Sequence, residues 1–487
     1  MSYAISAGHQ RTLEAAESIL TSGGHAVDAA IAAFLMSWVA EPCMSSAGGG
    51  GFAQVFFDRN PPVVFDFFCQ TPQQKPPADE MDFFPVTVDF GAAKEVFHVG
   101  RGSTAVPGSV AGVFALHQHF GKIPMKELAQ PAISAAKSGV VVNEFNHYVH
   151  QLLKAILDLH PTGRSLYIEN GEIAAIGTRR FMPGLADYLE YLALEGPNAF
   201  YEGEIADKIA TDHRNHGGCL RRDDLSGYKV NINKPLDITF HQHLISANPQ
   251  PGLGGFYLKS YFDYIKEITA ALHPFTPQYL ENLFGAYQSL ESEKKQIGGA
   301  LGRFFAQLKT GGTTHFNIID KAGNAVSLSS SNGEGSGSFI AHTDIQLNNM
   351  LGEAALLPGG FHSWEPNTRL ASLMTPTLVF DAQKELKLVL GSSGAGRIAS
   401  ALFQIIKLTL LYDFDLQTAV QSPRAHLQDG IFNMEPGFEE GYRHPDERSR
   451  VWSERSIYFG GVNGLENKSG RWTAEGDQRR FGVGTSG

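Results

Sequence analysis

The sequence has little cysteine, and the cysteines it has follow no pairing pattern. Only three occur among 487 residues, Cys43, Cys69 and Cys219, and none of them has CxxC spacing. An odd set without a pattern argues against a disulfide framework and against a zinc ribbon. We therefore expect free thiols that pack as small core residues.

Long apolar runs and clusters of basic charge are also missing. The longest apolar stretch, residues 29–40 with only Ser37 interrupting, is well short of the ~20 residues that span a bilayer. Net charge is −11, from 39 basic and 50 acidic residues, without a lysine or arginine run. These absences disfavour a membrane span and nucleic-acid binding. Because the N-terminus lacks the features of a secretory signal, we expect a cytoplasmic location.

What is abundant is apolar residues. Hydrophobic residues make up 43% of the chain and charged residues 18%, which is the composition of a globular protein that folds without a partner. A prior of ~150 residues per domain gives about three domains, although α/β enzymes often exceed that length undivided. Length alone therefore leaves the domain number open.

Local patterns predict helices in the first part of the chain. Residues 9–40 indicate two helices separated by residues 22–25, where Gly23 or Gly24 supplies a left-handed cap. The glycines at 48–51, which follow Ala47, precede the strand FAQVFF and do not form GxxxxGK[ST] or GxGxxG, so close backbone packing explains them better than phosphate binding. Residues 256–308 again look helical and end in Thr310, Gly311 and Gly312, a flexible lead into the next strand.

The second part of the chain is predicted to contain strands. THFNIID and NAVSLSS flank residues 321–324 and indicate a hairpin, and TPTLVFDAQKELKLVLGSSG indicates another strand pair. The tail after Glu435, rich in charge and glycine, is interpreted as surface loops around one strand, SIYFGGVNGL. His147 and His150 are spaced as half a metal site on a helix, but no third ligand is near in sequence, so no metal is predicted.

The run Gly311-Gly312-Thr313-Thr314-His315 suggests a nucleophile that the chain makes for itself. If the Gly312–Thr313 bond breaks, Thr313 gains a free α-amine beside its hydroxyl. That amine, with a reference pKa near ~8, can act as the base that a threonine hydroxyl needs. The pattern therefore predicts an enzyme, with Thr314 left open as the alternative nucleophile.

Nine blocks of the sequence, in their order and spacing, resemble the gamma-glutamyltranspeptidase family of N-terminal nucleophile hydrolases. The resemblance runs nearly end to end. The blocks are GHQRTLEAAESILTSGGHAVDAAIAA, EPCMSSAGGGGFAQVFF, AVPGSVAGVFALHQHFGKIP, FYEGEIADKIA, GGCLRRDDLSGYKV, TTHFNIIDKAGNAVS, LNNMLGE, LMTPTLVF and GSSGAGRI.

The resemblance implies that Thr313 both cleaves the precursor and then serves as the catalytic nucleophile. The fragments, residues 1–312 and 313–487, would stay together as one intertwined heterodimer, with a further homo-oligomer left open. The implied fold is α+β, a four-layer αββα sandwich with additional helices in the N-terminal portion. The implied chemistry needs no metal or organic cofactor and acts on a small-molecule amide.

Further roles are implied for residues around the nucleophile. Ser331 stands where the family has a second threonine, and its hydroxyl would orient the Thr313 amine or hydroxyl. In GSSGAGRI the family pattern implies an oxyanion hole from the backbone N–H groups of Gly394 and Ala395. A backbone donor does not depend on side-chain identity, so alanine is tolerable there if the backbone angles permit it.

Substrate-binding positions depart from the family pattern. Phe68 stands where the family binds a carboxylate with an arginine, and no lysine replaces it locally. Gly333, Met350 and Leu373 replace an asparagine, a glutamine and a serine. Ser372 and Glu353, the latter in place of an aspartate, remain candidate contacts. The machinery for acyl transfer looks intact, whereas the acyl pocket looks rebuilt and more apolar.

Three hypotheses follow. The first is an autoprocessing threonine amidohydrolase or acyltransferase that cleaves an amide other than typical γ-glutamyl compounds. The second is a true γ-glutamyl hydrolase or transpeptidase for glutathione-like substrates, with Arg101 or Arg369 as the carboxylate ligand. The third is a relative without catalysis that serves as a scaffold or binding protein.

Overall fold

The computed structural model describes residues 3–89, 94–266, 273–297, 312–357, 359–439 and 449–487. Thr310 and Gly311 of the predicted flexible lead lie outside these residues, as does the end of the predicted helical stretch beyond residue 297. No helix in the described ranges is long and apolar enough to cross a bilayer.

The strands fall mainly into two large antiparallel sheets. In chain order they are β1 (Ala4–Ala7), β2 (Gly50–Phe56), β3 (Val63–Phe67), β4 (Phe84–Asp89), β5 (Lys94–Val99), β6 (Val140–Val141), β7 (Ile168–Glu169), β8 (Glu172–Ile173), β9 (Arg179–Arg180), β10 (Asn231–Asn233), β11 (Leu236–Phe240), β12 (His243–Ala247), β13 (Thr313–Ile319), β14 (Ala325–Ser331), β15 (Thr377–Phe380), β16 (Leu386–Ser393), β17 (Ala425–Gln428), β18 (Ile431–Met434), β19 (Ser449–Val451), β20 (Gly461–Lys468), β21 (Arg471–Glu475) and β22 (Val483–Ser486).

The described residues contain fourteen helices of four residues or more. They are α1 (Gln10–Thr21), α2 (Ala26–Ala40), α3 (Ser109–Phe120), α4 (Met125–Ser138), α5 (Glu144–Leu157), α6 (Pro161–Tyr167), α7 (Pro183–Glu195), α8 (Asn198–Tyr201), α9 (Glu204–Asn215), α10 (Arg222–Ser226), α11 (Gly254–Ile265), α12 (Pro277–Ile297), α13 (Ile398–Leu411) and α14 (Leu416–Gln421).

The two sheets stack face to face between two helical layers. Within the described residues, the first sheet has the order β10-β3-β2-β14-β13-β1-β22 and the second β11-β12-β15-β16-β20-β21. Helices α2 and α3 pack on the first sheet and α11 and α13 on the second, while β13 contacts β16 and β20 across the interface. This is the four-layer αββα arrangement of an α+β protein, as predicted.

Helix α2 lies inside the first helical layer. His25 and Asp28 form a reciprocal capping box at its start, which satisfies otherwise unpaired backbone N–H groups. All of its residues are buried. A helix that is apolar on every side belongs in a protein interior, and its many alanines allow neighbouring elements to approach closely. Its last turn leads into Glu41, which contacts Thr314 of β13.

Several local predictions are confirmed. Helices α1 and α2 flank Gly23, whose φ of 91° is left-handed. Strands β13 and β14 form the predicted hairpin, and β15 pairs with β16. The three cysteines are free and buried.

The prediction for the tail is correct only in part, because the predicted strand SIYFGGVNGL overlaps β20 but the tail holds three further strands in the described ranges. Residues 457–459 form a short 3-10 turn, and the strand starts at Gly461 and runs between β16 and β21 in the second sheet. Strand β22 pairs with β1 in the first sheet. A Cβ at position 464 would lie 2.4 Å from Leu390 Cδ2, so this close packing requires glycine. A strand that contains such glycines lacks the alternating apolar pattern by which strands are predicted from sequence.

Candidate active site

Thr313 opens β13 and faces the space between the two sheets. The residue is 7% exposed. Side chains alternate along a strand, so His315 and Asn317 share its face. A Cβ on Gly391 of β16 would lie 2.0 Å from His315 Cε1, and Asn317 Nδ2 donates to the Asn463 carbonyl oxygen at 2.9 Å. These contacts with the second sheet show that Thr313 lies on the inner face.

Thr314 points the other way, toward the helices. Its Oγ donates to Glu41 Oε2 at 2.5 Å, and Thr12 Oγ donates to the other Glu41 oxygen at 2.7 Å. Burial raises the pKa of the Glu41 carboxyl, while the two hydroxyl hydrogen bonds oppose that rise. The Thr314 hydroxyl is therefore committed to a buried network. Of the two threonines, Thr313 has the freer hydroxyl.

Ser331 contacts the peptide bond that precedes Thr313. It pairs with Thr313 across the β13–β14 register, and its Oγ donates to the Gly312 carbonyl oxygen at 2.5 Å. The Gly333 N–H donates to the same Oγ at 3.1 Å, which fixes the direction of the hydroxyl. Ser331 thus polarises the carbonyl that a Thr313 hydroxyl would attack.

His315 does not offer a free base to Thr313. Its Nε2 is 2.9 Å from Asn317 Oδ1, which can only accept, so we assign the ring proton to Nε2. Nδ1 then accepts from Ser329 Oγ at 2.8 Å. Burial lowers the pKa of His315 to about 4, so the ring is neutral near pH 7. Both ring nitrogens of His315 are thus engaged in hydrogen bonds and are not available as a base for Thr313.

Gly394 and Ala395 form a turn directly after β16. Their φ angles are 119° and 47°, both in the region that favours glycine. A Cβ on Gly394 would lie 2.8 Å from Gly460 Cα, so a side chain there is excluded. Neither amide donates a hydrogen bond to any group in the described ranges. Ser393, the residue before them, lines a cleft with Thr313. Two such unused N–H groups can stabilise an oxyanion.

An acidic cluster borders Gly312 on the other side. The Gly312 N–H donates to the Glu334 carboxyl group, and Glu353 and Glu95 lie close to it. Burial and the charge of Glu95 raise the pKa of Glu353 to about 8; burial followed by Glu353 raises the pKa of Glu334. Carboxyl groups this close cannot all be ionised, so they share protons near neutral pH. Sequence reasoning found Glu353 but missed Glu334 and Glu95.

Gly333 is a site where no side chain fits. Its φ is 62°, and a Cβ would lie 2.1 Å from Asn349 Oδ1 and 2.4 Å from Glu353 Oε1. The position that holds asparagine in the resembling family therefore contributes backbone only. The space of that side chain is taken by the Asn349 and Glu353 groups.

The predicted apolar pocket residues lie in the core. Phe68, Met350 and Leu373 belong to the same hydrophobic cluster, and Phe68 stacks on Phe52 with ring centroids 5.6 Å apart. None of the three lines the cleft at Thr313. Ser372 is also buried, and its Oγ accepts from the Met374 N–H at 3.2 Å. Phe68 thus fills space beside the site and does not form an open apolar wall.

The two arginines considered as carboxylate ligands are already bound. Arg101 donates to Asp212 through Nε at 2.7 Å and to Asp82 through Nη1 at 3.2 Å. Arg369 donates to the Phe68 carbonyl oxygen and to Tyr228 Oη, and its Nε lies 3.5 Å from Asp66. Neither guanidinium is available to a substrate in this arrangement.

The histidine pair does not form half of a metal site. His147 Nδ1 contacts the Ala174 carbonyl oxygen at 3.0 Å, and His150 Nε2 accepts from Arg180 Nη1 at 3.2 Å. A ring nitrogen that accepts from an arginine is not free for a cation. In the described ranges no group of three or more His, Cys, Asp or Glu residues could hold a metal ion.

A cleft runs beside Thr313 that sequence reasoning did not find. Glu41, Met44, Phe145, Asn463 and Arg480 line it with Thr313. They come from segments far apart in the chain, brought together by sheet pairing. The doublet Arg479-Arg480 in the tail was the available signal, but the tail had been interpreted as surface.

Comparison with known proteins agrees with this geometry. The sequence profile of gamma-glutamyltranspeptidase matches residues 12–296 and 263–486. The chain is 29% identical to glutathione hydrolase 3 of Arabidopsis thaliana over 471 residues, which cover 87% of this chain and 72% of that protein. It is 27% identical to the capsule biosynthesis protein CapD proenzyme of Bacillus anthracis over 520 residues, covering 99% and 90%.

A solved structure shares the fold. The crystal structure of cephalosporin acylase from Bacillus halodurans superposes with a TM-score of 0.85, at 20% identity, over 99% of this chain and 95% of that one. The fold is that of the N-terminal nucleophile hydrolases. The chain belongs to the gamma-glutamyltranspeptidase family and is an enzyme of the hydrolase or transferase type.

Proposed function

We propose that the chain is an autoprocessing threonine amidohydrolase or acyltransferase, with Thr313 as nucleophile and an acyl donor other than a typical γ-glutamyl compound. Residues 1–312 and 313–487 would remain together as a heterodimer after cleavage. The observation that carries the proposal is the Ser331 hydroxyl at 2.5 Å from the Gly312 carbonyl oxygen, next to a nucleophile on the inner sheet face. Two relatives, from Bacillus subtilis and B. anthracis, have proenzyme in their names, which supports processing.

The maturation step rearranges one peptide bond. Thr313 Oγ attacks the Gly312 carbonyl carbon, while Ser331 stabilises the negative charge that develops on the oxygen. The C–N bond then breaks, and the nitrogen takes up a proton to become the free α-amine of Thr313. Water hydrolyses the resulting ester, which leaves a Gly312 carboxylate and restores the Thr313 hydroxyl.

The catalytic cycle repeats this chemistry on a substrate. The α-amine of Thr313 takes the hydroxyl proton as Oγ attacks the substrate carbonyl. The Gly394 and Ala395 amides stabilise the tetrahedral oxyanion. Collapse releases an amine and leaves an acyl ester on Thr313, and water or a second amine completes the cycle. None of these steps uses a metal or an organic cofactor.

The acidic cluster supports a preference on the acyl side. In the uncleaved chain, Gly312 occupies the acyl position, and its N–H donates to Glu334. A substrate that places an amine or an N–H donor there gains the same contact, and an ammonium group would also be attracted to Glu353. Arg369, the arginine that contacts Phe68, is already bonded to the protein, so an α-carboxylate on the acyl group lacks the ligand that the family pattern places there. We therefore infer an acyl donor with an amino group close to the scissile carbonyl.

The proposal is tested by the processing of variants. Intact-mass measurement and N-terminal sequencing of the wild-type protein are expected to give fragments that begin at Met1 and Thr313. Thr313→Ala is expected to stay a single chain of 52.9 kDa, whereas Thr313→Ser is cleaved slowly. Thr314→Ala is the matched control, with cleavage retained. Cleavage of Thr313→Ala at the same bond, or its loss only in Thr314→Ala, would overturn the assignment.

The alternative is a true γ-glutamyl hydrolase or transpeptidase. Its support is the name of the relatives, since the plant and bacterial proteins at 25–29% identity are called glutathione hydrolases. The hydrogen bonds that Arg101 and Arg369 already make within the protein count against it, because they leave neither guanidinium group available for a substrate carboxylate. Turnover of glutathione or of a γ-glutamyl anilide with a Michaelis constant between micromolar and millimolar would establish the alternative. Preference for an aminoacyl anilide over the γ-glutamyl one would exclude it.

A further inference from the structure

Strand β13 begins at the residue that the proposed cleavage would turn into a chain end. In the uncleaved chain, Thr313 follows Gly312, whose carbonyl oxygen accepts from Ser331 Oγ at 2.5 Å and whose N–H donates to Glu334. Both contacts belong to Gly312, so neither holds Thr313 once the bond between the two residues is broken. Because chain ends fray unless other contacts hold them, a nucleophile at a strand end needs an anchor of its own.

The first residues of β13 have a paired strand on one side only. Strand β14 pairs with β13 along its whole length, with Ser331 opposite Thr313. Strand β1, on the other side, pairs with β13 only from Asn317 to Ile319. A strand end with one neighbour opens more readily than the centre of the strand. The backbone ladder alone therefore holds Thr313 weakly after the proposed cleavage.

Thr314 makes a hydrogen bond that holds this end from the opposite face. Its Oγ donates to Glu41 Oε2 at 2.5 Å, and the residue is 3% exposed. A hydroxyl that donates to a carboxylate forms a short and strong hydrogen bond. Since neighbouring side chains of a strand point to opposite faces, this contact fixes the backbone next to Thr313 and leaves the space in front of the Thr313 hydroxyl open.

Glu41 is itself held in place by the elements around it. Its N–H donates to the Ser37 carbonyl oxygen at 2.9 Å, where α2 ends. Its own carbonyl oxygen accepts from the Met44 and Ser45 N–H groups at 2.8 and 3.0 Å. Thr12 of α1 donates to its other carboxyl oxygen, Oε1, at 2.7 Å. The carboxyl group thus links α1, the end of α2 and β13.

The buried carboxyl group of Glu41 depends on its two hydroxyl partners. Hydrogen bonds from Thr314 and Thr12 oppose the rise of its pKa by burial, and among the described residues no cation contributes to that effect. A Cβ on Gly8 would lie 2.7 Å from Glu41 Oε2 and 2.8 Å from Thr314 Oγ, so glycine is required there. Burial of a carboxyl group is costly unless its oxygens are hydrogen-bonded. Loss of either hydroxyl therefore weakens the whole network.

We propose that Glu41 is a positioning residue that holds Thr313 in register, through Thr314, after the chain has been cleaved. The inference rests on the proposed function and deepens it. Before cleavage the peptide link to Gly312 also holds Thr313, so the hydrogen bond matters little for maturation. After cleavage, Glu41 and the ladder with β14 hold the strand end alone. A displacement of the nucleophile by about 1 Å can slow a reaction ~10²-fold, so loss of the anchor lowers kcat.

The kinetic test compares maturation with turnover in the same variants. Thr314→Val keeps the shape of the side chain without the hydroxyl, and Glu41→Met removes the acceptor. We expect each to lower kcat by about 10-fold or more for the anilide that the wild-type enzyme cleaves best, with KM changed less than ~3-fold. The rate at which the 313–487 fragment appears should stay within ~3-fold of the wild-type rate. An equal loss of both rates, or an unchanged kcat, would overturn the proposal.

Conservative variants and a double variant separate positioning from support of the fold. Thr314→Ser and Glu41→Gln each keep part of the contact and should restore most of kcat. In the double variant Glu41→Met/Thr314→Val, kcat should stay within ~3-fold of the lower single variant, because the same hydrogen bond is lost in each. Losses that multiply in the double variant would show that the two residues act independently, which contradicts the proposal.

Thr21→Val is the matched control for loss of a threonine hydroxyl. Thr21 is exposed at the end of α1, the helix that also carries Thr12, and its Oγ donates only to carbonyl oxygens of that helix. Both the maturation rate and kcat of this variant should equal those of the wild type. A fall in kcat as large as that of Thr314→Val would show that the effect is not specific to the Glu41 network.

Hydrogen exchange tests the anchor without turnover. Amides of residues 313–319 should exchange about 10-fold faster in cleaved Thr314→Val than in the cleaved wild type. In the uncleaved Thr313→Ala background, Thr314→Val should change this exchange by less than ~3-fold. Equal exchange in the two cleaved proteins would contradict the role of Glu41.

The mass of the wild-type protein distinguishes failure of this inference from failure of the proposed function. A wild-type chain that stays whole at 52.9 kDa would remove both. Cleavage before Thr313, together with an unchanged kcat in Thr314→Val and Glu41→Met, would overturn the positioning role of Glu41 and leave the proposed function intact.

Discussion

The two sides of Thr313 carry opposite charge. On the acyl side of the proposed reaction, Glu334 and Glu353 lie next to Gly312, and none of the cations in the described ranges is among the groups that shift their pKa values. On the amine side of the proposed reaction, Arg480 lies next to Gly394 and has no ion-pair partner in the described ranges. Thr313 thus lies between a cluster of carboxyl groups and a guanidinium group.

If Thr313 is the nucleophile, as proposed, this difference would divide substrate recognition between the two halves of the amide. The acidic side would favour an acyl group that carries an amine, and the cationic side would not. The neutral parts of the site, namely the Ser331 hydroxyl and the backbone amides after β16, serve the reaction itself and are independent of either charge. Substitutions on the two sides should therefore have separable effects.

Ser331→Ala is expected to have the largest effect. Loss of the hydroxyl at the Gly312 carbonyl oxygen should slow precursor cleavage by about 10²–10³-fold, since one donor to a developing oxyanion is removed. Ser331→Thr should restore cleavage because it keeps the hydroxyl. The rate of appearance of the 313–487 fragment measures both variants. If Ser331→Ala is cleaved at the normal rate, the contact between the Ser331 hydroxyl and the Gly312 carbonyl oxygen no longer supports the proposed function.

Gly461→Ala tests the amine side without touching the charge of Arg480. A Cβ at this position would displace the Arg480 stem, which it would approach to 2.6 Å. We expect kcat/KM for the anilide that the wild-type enzyme cleaves best to change by about 3–10-fold, with cleavage of the precursor unchanged. Steady-state kinetics with this anilide measure the effect. A loss of processing instead would show that the two sides are coupled.

Glu353→Gln tests the acidic side through the pH dependence of stability. The pKa of Glu353 is raised from its ordinary value to about 8, so the folded protein binds a proton that the unfolded chain releases near pH 4.5. The stabilisation from this proton is full below about pH 4.5 and is lost as pH rises toward 8. The melting temperature of the wild type should therefore fall between these values.

The fall in melting temperature over this pH range should be about 2 °C smaller in Glu353→Gln than in the wild type, because the amide does not titrate. Glu439→Gln, at an exposed position outside the acidic cluster, is the control and should follow the wild type. Parallel curves for wild type and Glu353→Gln would show that the proton is not held on this carboxyl group.

Ala395→Gly is expected to have the smallest effect. Glycine relieves the left-handed φ of 47°, but it adds freedom to the unfolded chain, so the free energy of unfolding should change by less than ~1 kcal/mol. The backbone N–H remains, and turnover should stay within about 3-fold. A large loss of turnover with an unchanged unfolding curve would mean that the alanine methyl group has a role of its own.

Sequence patterns predicted the elements whose signals are local. The caps of α1 and α2, and the hairpin of β13 and β14, follow from residues within a few positions of each other. The four-layer fold and Thr313 came from the family resemblance together with that local chemistry. The strand predicted at residues 456–465 overlaps β20 but begins too early, and β19, β21 and β22 were not predicted from the charge-rich and glycine-rich tail.

The charged groups of the site were harder to predict for a physical reason. Arg480 reaches Thr313 only because β20 and β13 face each other across the two sheets, which no local pattern encodes. Phe68 was expected in the pocket, yet it stacks on Phe52 in the core, since adjacent strands bring these side chains together. Contacts between distant segments therefore place the charged groups around Thr313, whereas local sequence was enough to single out Thr313 as the candidate nucleophile.

The central claim is that Thr313 carries the acyl group during turnover. The most direct test is acid quenching of the enzyme in the steady state with its best anilide, followed by tryptic digestion and tandem mass spectrometry of the peptide of residues 313–321. The account predicts the mass of the acyl group on this peptide, assigned to Thr313, in a fragment that begins at that residue. An acyl group on Thr314 or elsewhere, or turnover by an uncleaved chain, would contradict it.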